Sequence, residues 1–184
     1  MLLWYVSRAA GLVALLLLTG TILLGITGVV RFAAPGWPQF VLAQLHRNLS
    51  LLTVAFLAVH VSTAVIDTYA GIRWIDTVVP FVSSYETFWL GLGVIAIELL
   101  IALVVTSLLR TRIGLRTWRA VHWAAYACWL IAVIHGLGIG GQDTRTTWVL
   151  VLTLGCAALV AGGLLWRMLA APAGKLAPLE MSRR

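Results

Sequence analysis

Five apolar stretches limit what this chain can become: approximately Ala9 to Val30, Asn48 to Ile66, Phe88 to Leu109, Arg119 to Gly138 and Thr147 to Leu169. Each is close to the roughly 20 residues that a helix rising 1.5 Å per residue needs to cross about 30 Å of hydrocarbon. The second and fourth are expected to begin a few residues earlier. Of the whole chain 61% is hydrophobic and 10% charged, against about a quarter charged in soluble domains. The pattern predicts an all-α integral membrane bundle of five transmembrane helices. Trp4, Trp37, Trp74, Trp89, Trp118, Trp148 and Trp166 fall at or near the ends of the stretches, where an amphipathic ring favours the headgroup region. The first stretch is too long for the core of a secretion signal and is read as a retained helix.

The net charge of +7 follows the bilayer and does not imply nucleic acid as a partner. With the N-terminus outside, Arg31, Arg47, Arg110, Arg112, Arg116, Arg119, Arg167, Lys175, Arg183 and Arg184 lie inside and Arg8, Arg73 and Arg145 outside, ten against three. This positive-inside bias predicts an N-out, C-in, multi-pass protein of the plasma or inner membrane, in contact with lipid. The stretch "RTRIGLRTWR" reads as the most basic cytoplasmic loop. Residues 1–170 are expected to form the membrane domain and 171–184, rich in Pro, Gly and Ala, a disordered cytoplasmic tail. Cys128 and Cys156 stand singly in different helices without CxxC or CxxCH, which argues against iron–sulfur clusters, covalent c-type haem and a disulfide framework. They read as small packing residues.

The chain has four histidines and none is in a loop. His46 and His60 bracket the second helix, and His122 and His135 the fourth. Ionisable residues within transmembrane segments are costly and are functional candidates by default. Spacings of 14 and 13 separate the members of each pair by about 21 and 20 Å along a helix. Metal ligands on one helix sit at i and i+3 or i+4, so each histidine needs a partner from the other helix. Both helices run from inside to outside in the predicted topology. His46 therefore falls level with His122 near the inner face, and His60 with His135 near the outer face. The 14 spacing returns to within about 40° of the same helix face, whereas 13 misses by about 140°. Tilt, a π-bulge or distortion near Gly136 is expected to correct the second.

Two histidines facing each other across a gap between helices suit the axial positions of a b-type haem, and two levels suit two haems. His46 and His122 would hold the inner haem iron, His60 and His135 the outer. A histidine-based zinc transporter or proton channel is the competing class. It would cluster carboxylates along the same path, and the only acid deep in a helix is Glu98.

The paired histidines, thirteen residues between His46 and His60 and twelve between His122 and His135, on two helices separated by one intervening helix, resemble the ferric reductase-like transmembrane domain. Ferric reductases, NADPH oxidases and the membrane subunit of a periplasmic methionine sulfoxide reductase share that core. The resemblance covers nearly the whole chain and implies two b haems passing electrons across a membrane. In the oxidase and reductase relatives a C-terminal FAD and NAD(P)H domain feeds the inner haem. Here fifteen residues follow Leu169 and no sixth helix is expected. Gly136, Gly138 and Gly141 of "GLGIGGQD" have the GxGxxG spacing, but with no strand before them they are read as turn formers on a short outer loop, and no P-loop motif is present. Electrons are therefore expected from a separate flavoprotein, from quinol, or from a flavin or quinone at the inner face. The outer acceptor would be a ferric chelate, oxygen or a periplasmic redox partner. The alternative within this class is a non-catalytic haem subunit relaying electrons to a partner reductase.

Arg47, Arg116 and Arg119 lie close to the inner level and are candidates to pair with haem propionates, since guanidinium binds carboxylate bidentately. Plain anchoring is the other reading. Arg8 is placed to meet a propionate of the outer haem or to snorkel to the interface. Glu98 is read as a proton-handling group or as the partner of a neighbouring hydroxyl or histidine. Gly91, Gly93, Gly155, Gly162 and Gly163 are expected to allow close helix packing, or the approach of a haem face.

Overall fold

A computed structural model describes residues 2–30, 38–142, 144 and 146–170. Arg31, Trp37, Asp143, Arg145, Lys175, Arg183, Arg184 and the expected tail 171–184 fall outside them. The described residues form α1 (Leu2–Val30), α2 (Gln39–Ile66), α3 (Thr87–Leu108), α4 (Arg110–Ile113), α5 (Leu115–His122), α6 (Ala124–Ile139) and α7 (Thr147–Ala170), with a 3₁₀ turn at Trp74–Thr77. Five spans are long and apolar enough to cross a membrane: α1, α2, α3, α5 with α6, and α7. As expected, the second and fourth begin early, at Gln39 and Leu115. The protein is an all-helical, multi-pass membrane bundle.

The stretch "RTRIGLRTWR" is not a loop. Arg and Leu are good helix formers, and α4 and α5 take up all of it except Gly114. Gly114 has φ +79°, a conformation open to glycine at little cost, and turns the chain between them. In "GLGIGGQD", α6 runs on to Ile139 and the left-handed residue is Gly141, at φ +56°.

The fourth span also differs from expectation. Its irregularity lies at Trp123, directly after His122, while Gly136 sits within α6. The Tyr126 N–H reaches the Trp123 carbonyl at 3.2 Å, three residues back, which is the tighter 3₁₀ spacing. The cause is tertiary. Arg167 of α7 lies 4.2 Å from the centre of the Trp123 ring and donates to the Tyr126 hydroxyl at 2.6 Å, holding the residues on both sides of the break.

With little hydrophobic drive between helices in lipid, association depends on close packing and hydrogen bonds. Along α1, Ser7, Gly11, Ala14, Leu18, Thr21 and Gly25 recur at alternating steps of four and three, a seam mostly of small residues against which α2 packs. On another side of α1, Ile22 and Ile26 join Trp129, Val133, Cys156 and Val160 in the buried core shared with α6 and α7. The Trp129 indole donates to Thr19 Oγ1 at 2.9 Å, and Cys128 Sγ donates to the Ala96 carbonyl at 3.3 Å, joining α6 to α3. Both cysteines are free and buried. While α2 lies along α1 and α6 along α3, α2 and α6 are not packed on each other. A slot separates them.

The segment 67–86 closes one end. Asp76, 2% exposed, accepts Nη2 of Arg73 at 2.7 Å, Nε at 3.2 Å and the Arg73 backbone N–H at 2.9 Å. Phe81 takes φ +64°, unusual for a bulky residue. Its ring rests on Gly91, where any Cβ would collide with it, and stacks on Phe88 at 6.2 Å. Gly91 thus serves an aromatic ring of the loop instead of a helix, and of the α7 glycines only Gly163 faces close neighbours, Leu23 and Ile26.

The hydrogen bonds and charge of Arg73 hold the Asp76 carboxyl below the ordinary aspartate range. A carboxyl with a depressed pKa stabilises the fold above its unfolded value and loses that contribution as pH falls through the folded one. Amide exchange protection of residues 67–86 is therefore expected to hold from neutral pH down to about 3.9 and to decline below it. Protection in Asp76→Asn should lack this acid step; an equal step in both proteins would count against the pairing.

A paired-histidine site in the membrane slot

The antiparallel packing of α1 on α2 and of α3 on α6 sets where the histidines point. The Nδ1–H of His60 donates to the Ser7 carbonyl at 2.7 Å, and Ser7 Oγ donates back to the His60 carbonyl at 3.0 Å. The Nδ1–H of His46 donates to the Thr21 carbonyl at 2.9 Å. From α6, the Nδ1–H of His135 donates to the Trp89 carbonyl at 2.7 Å. Donation from Nδ1 selects the tautomer whose lone pair is on Nε2, and no described hydrogen bond engages an Nε2 of the four rings. His122 differs: its Nδ1 is buried without a hydrogen-bond partner, and its ring stacks on Trp118 at 4.7 Å and 28°.

Across the slot the rings meet in twos. The centres of His46 and His122 are 6.3 Å apart with planes at 53°, and those of His60 and His135 are 6.5 Å apart at 80°. These are the two pairs expected from the spacings. Among the described residues no three His, Cys, Asp or Glu side chains come together as a chelating group. The second pair opens into a cavity of about 540 Å³, lined also by Arg8, Gly11, Gly93 and Tyr85, with Asp76 of the closing loop. This volume is in the range of small-molecule and cofactor sites.

Of the expected supporting residues, Arg8 lines the cavity, lies over the Trp4 ring at 4.6 Å and donates to the Gly140 carbonyl at 2.8 Å. Arg47, Arg116 and Arg119 are exposed at the end of the bundle that carries His46 and His122. Glu98 is exposed as well and makes no described hydrogen bond to a hydroxyl or histidine. Arg167 was legible in the sequence only as one of several cations at a helix end; its contacts with Trp123 and Tyr126 depend on α7 packing beside the break.

The fold and the site define a five-span membrane protein whose second and fourth spans face each other through two histidine pairs. The chain matches the family of ferric reductase-like transmembrane components over residues 10–133, more than half its length, and belongs to that family. The matched region takes in His46, His60 and His122 and stops just before His135. Membership points to electron transfer in a membrane. No curated protein and no solved structure gives a significant match.

Removing the Arg167 side chain takes a charge-assisted hydrogen bond from Tyr126 and a cation from the Trp123 face. Arg167→Ala should destabilise the bundle by about 2 kcal/mol, read as a lower thermal unfolding midpoint in detergent. Arg167→Lys should recover only part, because it loses the planar fork.

Proposed function

We propose that the chain is a di-haem b-type membrane cytochrome, with His46 and His122 as axial ligands of an inner haem and His60 and His135 of an outer one. The observation that carries this reading is the facing of the rings. Two imidazole–metal bonds of about 2 Å, with about 1.2 Å from each Nε2 to its ring centre, put the centres about 6.4 Å apart, and the observed values are 6.3 and 6.5 Å. Three Nδ1–H groups turned to backbone carbonyls leave Nε2 free to bind, the outer-shell arrangement of most metal-bound histidines. A slot between α2 and α6 suits a flat group, and meeting in twos suits axial ligation better than a four-coordinate zinc site.

When bound, each haem supplies one-electron chemistry at its iron. The protein's part is to hold both axial positions, to surround the outer level with apolar side chains and to offset propionate charge. Arg8 takes that last role at the outer level, and Arg47 and Arg119, with Arg116, at the inner. The orientation is N-out, C-in. It sets the ends bearing Arg47, Arg110, Arg112, Arg116, Arg119 and Arg167 against the cytoplasmic leaflet, consistent with positive charge inside. A separate flavoprotein, flavin or quinol would supply electrons on the inner side, and a ferric chelate, oxygen or an outer redox protein would accept them on the outer side.

The test is the haem-to-chain ratio of detergent-purified protein expressed with ample haem, with reduced-minus-oxidised spectra. Two haems are expected in the wild type, and one is lost in each of His60→Ala and His122→Ala. A colourless wild-type protein that moves ions in liposomes would replace this reading with the transporter one.

A further inference from the structure

The three oriented histidines share one local geometry. His60 donates to the carbonyl of Ser7 and lies against Gly11, where an added Cβ would stand 3.0 Å from Cε1. His46 donates to the carbonyl of Thr21 and lies against Gly25, where the distance would be 3.5 Å. His135 donates to the carbonyl of Trp89 and lies against Gly93, where it would be 2.6 Å. In each case the acceptor is residue i and the glycine residue i+4 of the neighbouring helix. A helical carbonyl already accepts the N–H of residue i+4 and keeps a second lone pair. A ring can reach that lone pair only by lying over residue i+4, and glycine leaves the surface flat. The two seats on α1 are 14 residues apart, as are His46 and His60 on α2.

The fourth position lacks a seat. Fourteen residues beyond Trp89 and Gly93 stand Leu103 and Ser107. Ser107 brings a Cβ where the others have none, and its hydroxyl accepts the Trp118 indole N–H at 3.3 Å. The Leu103 carbonyl accepts the Thr106 hydroxyl at 3.2 Å. His122 is left with the face of Trp118 and a buried Nδ1 without a partner.

Resting on the haem reading above, we propose that Gly11 and Gly93 are positioning residues that seat the two outer axial imidazoles on backbone carbonyls, that Gly25 lies in a roomier seat of the same form, and that Trp118 alone orients the fourth ring. The outer pair is then held from both sides, and the inner pair from one. The seats act through ring orientation, so they are read by spectroscopy apart from turnover.

The experiment is haem content and low-spin electron paramagnetic resonance of the oxidised, full-length protein, since the g-values report the angle between axial ring planes. Gly93→Ala is expected to shift the outer-haem g-values or halve the haem content. Gly11→Ala should give a smaller shift, and Gly25→Ala, with ordinary contact distance, a spectrum close to wild type. Gly155→Ala, whose Cβ would meet nothing within 4 Å, is the control for helix substitution. Trp118→Ala should alter the inner signal alone, and Trp118→Phe should restore it. If Gly93→Ala does not fold, Gly11→Ala against Gly25→Ala decides. Unmoved signals in Gly93→Ala and Gly11→Ala, or an outer-haem shift in Trp118→Ala, overturn the seats while leaving a two-haem wild type intact. A wild type without haem overturns the cytochrome reading and this inference together.

Discussion

A hydrogen bond from imidazole Nδ1–H to a main-chain carbonyl is the interaction on which the rest of this structure depends. In the membrane interior no water competes for a carbonyl's second lone pair, and a buried N–H without an acceptor is costly. Histidine on a membrane-spanning helix must therefore find a protein acceptor, and the nearest are the carbonyls of the helix beside it. That demand brings α2 close to α1 and α6 close to α3. Once Nδ1 is committed, Nε2 faces the opposite way, into the slot. The same bond that anchors a helix thus aims the free ring nitrogen, and the pairing of His60 with His135 follows from two such anchors on opposite walls.

The slot exists because the packing is divided. α1 is the hub: its seam of mostly small residues takes α2, and its Ile22–Ile26 side takes α6 and α7. Two separately anchored walls can face each other without collapsing, provided something ties them at a distance. The end bearing His60 and His135 has such a tie in the 67–86 segment, which joins the end of α2 to the start of α3. It is pinned by Arg73 on Asp76 and by Phe81 on Gly91. Arg8, on α1, reaches the last carbonyls of α6 and ties the other side. Closure of the cavity around His60 and His135 is a product of these polar and aromatic contacts, since lipid offers the walls no hydrophobic reason to approach.

Much of this was legible in the sequence because its causes are local or periodic. Five spans follow from run lengths and hydropathy, and the level pairing of His46 with His122 and His60 with His135 follows from the rise per residue. What escaped has tertiary causes. The break at Trp123 depends on Arg167, 44 positions away in the chain, and Gly136 was the wrong suspect because glycine within a membrane helix need not bend it. The basic stretch after α3 reads as a loop on its charge, although its residues favour helix. The glycines of α3 are legible as small residues, but small residues serve helix contacts, aromatic rings and cofactors alike, and nothing in the sequence singles out Gly11 and Gly25 of α1. Only the carbonyl four residues earlier distinguishes the seat, and that relation appears when the neighbouring helix is known.

The unequal histidine spacings have the same origin as the missing seat. A straight helix docked on a straight neighbour through two seats must repeat its histidines at nearly the interval of the seats. On α1 and α2 both intervals are 14, and α2 runs unbroken from His46 to His60. On the other wall α3 offers one seat, at Trp89 and Gly93, so only His135 is bound to its register. His122 can then stand 13 residues away, across a change of helix at Trp123, and still face His46. A second seat on α3 would have required the 14 spacing and an unbroken span. The Trp118 stack and the unpartnered Nδ1 of His122 follow from α3 offering a histidine seat at a single level, and the register this leaves free accommodates the break that Arg167 holds.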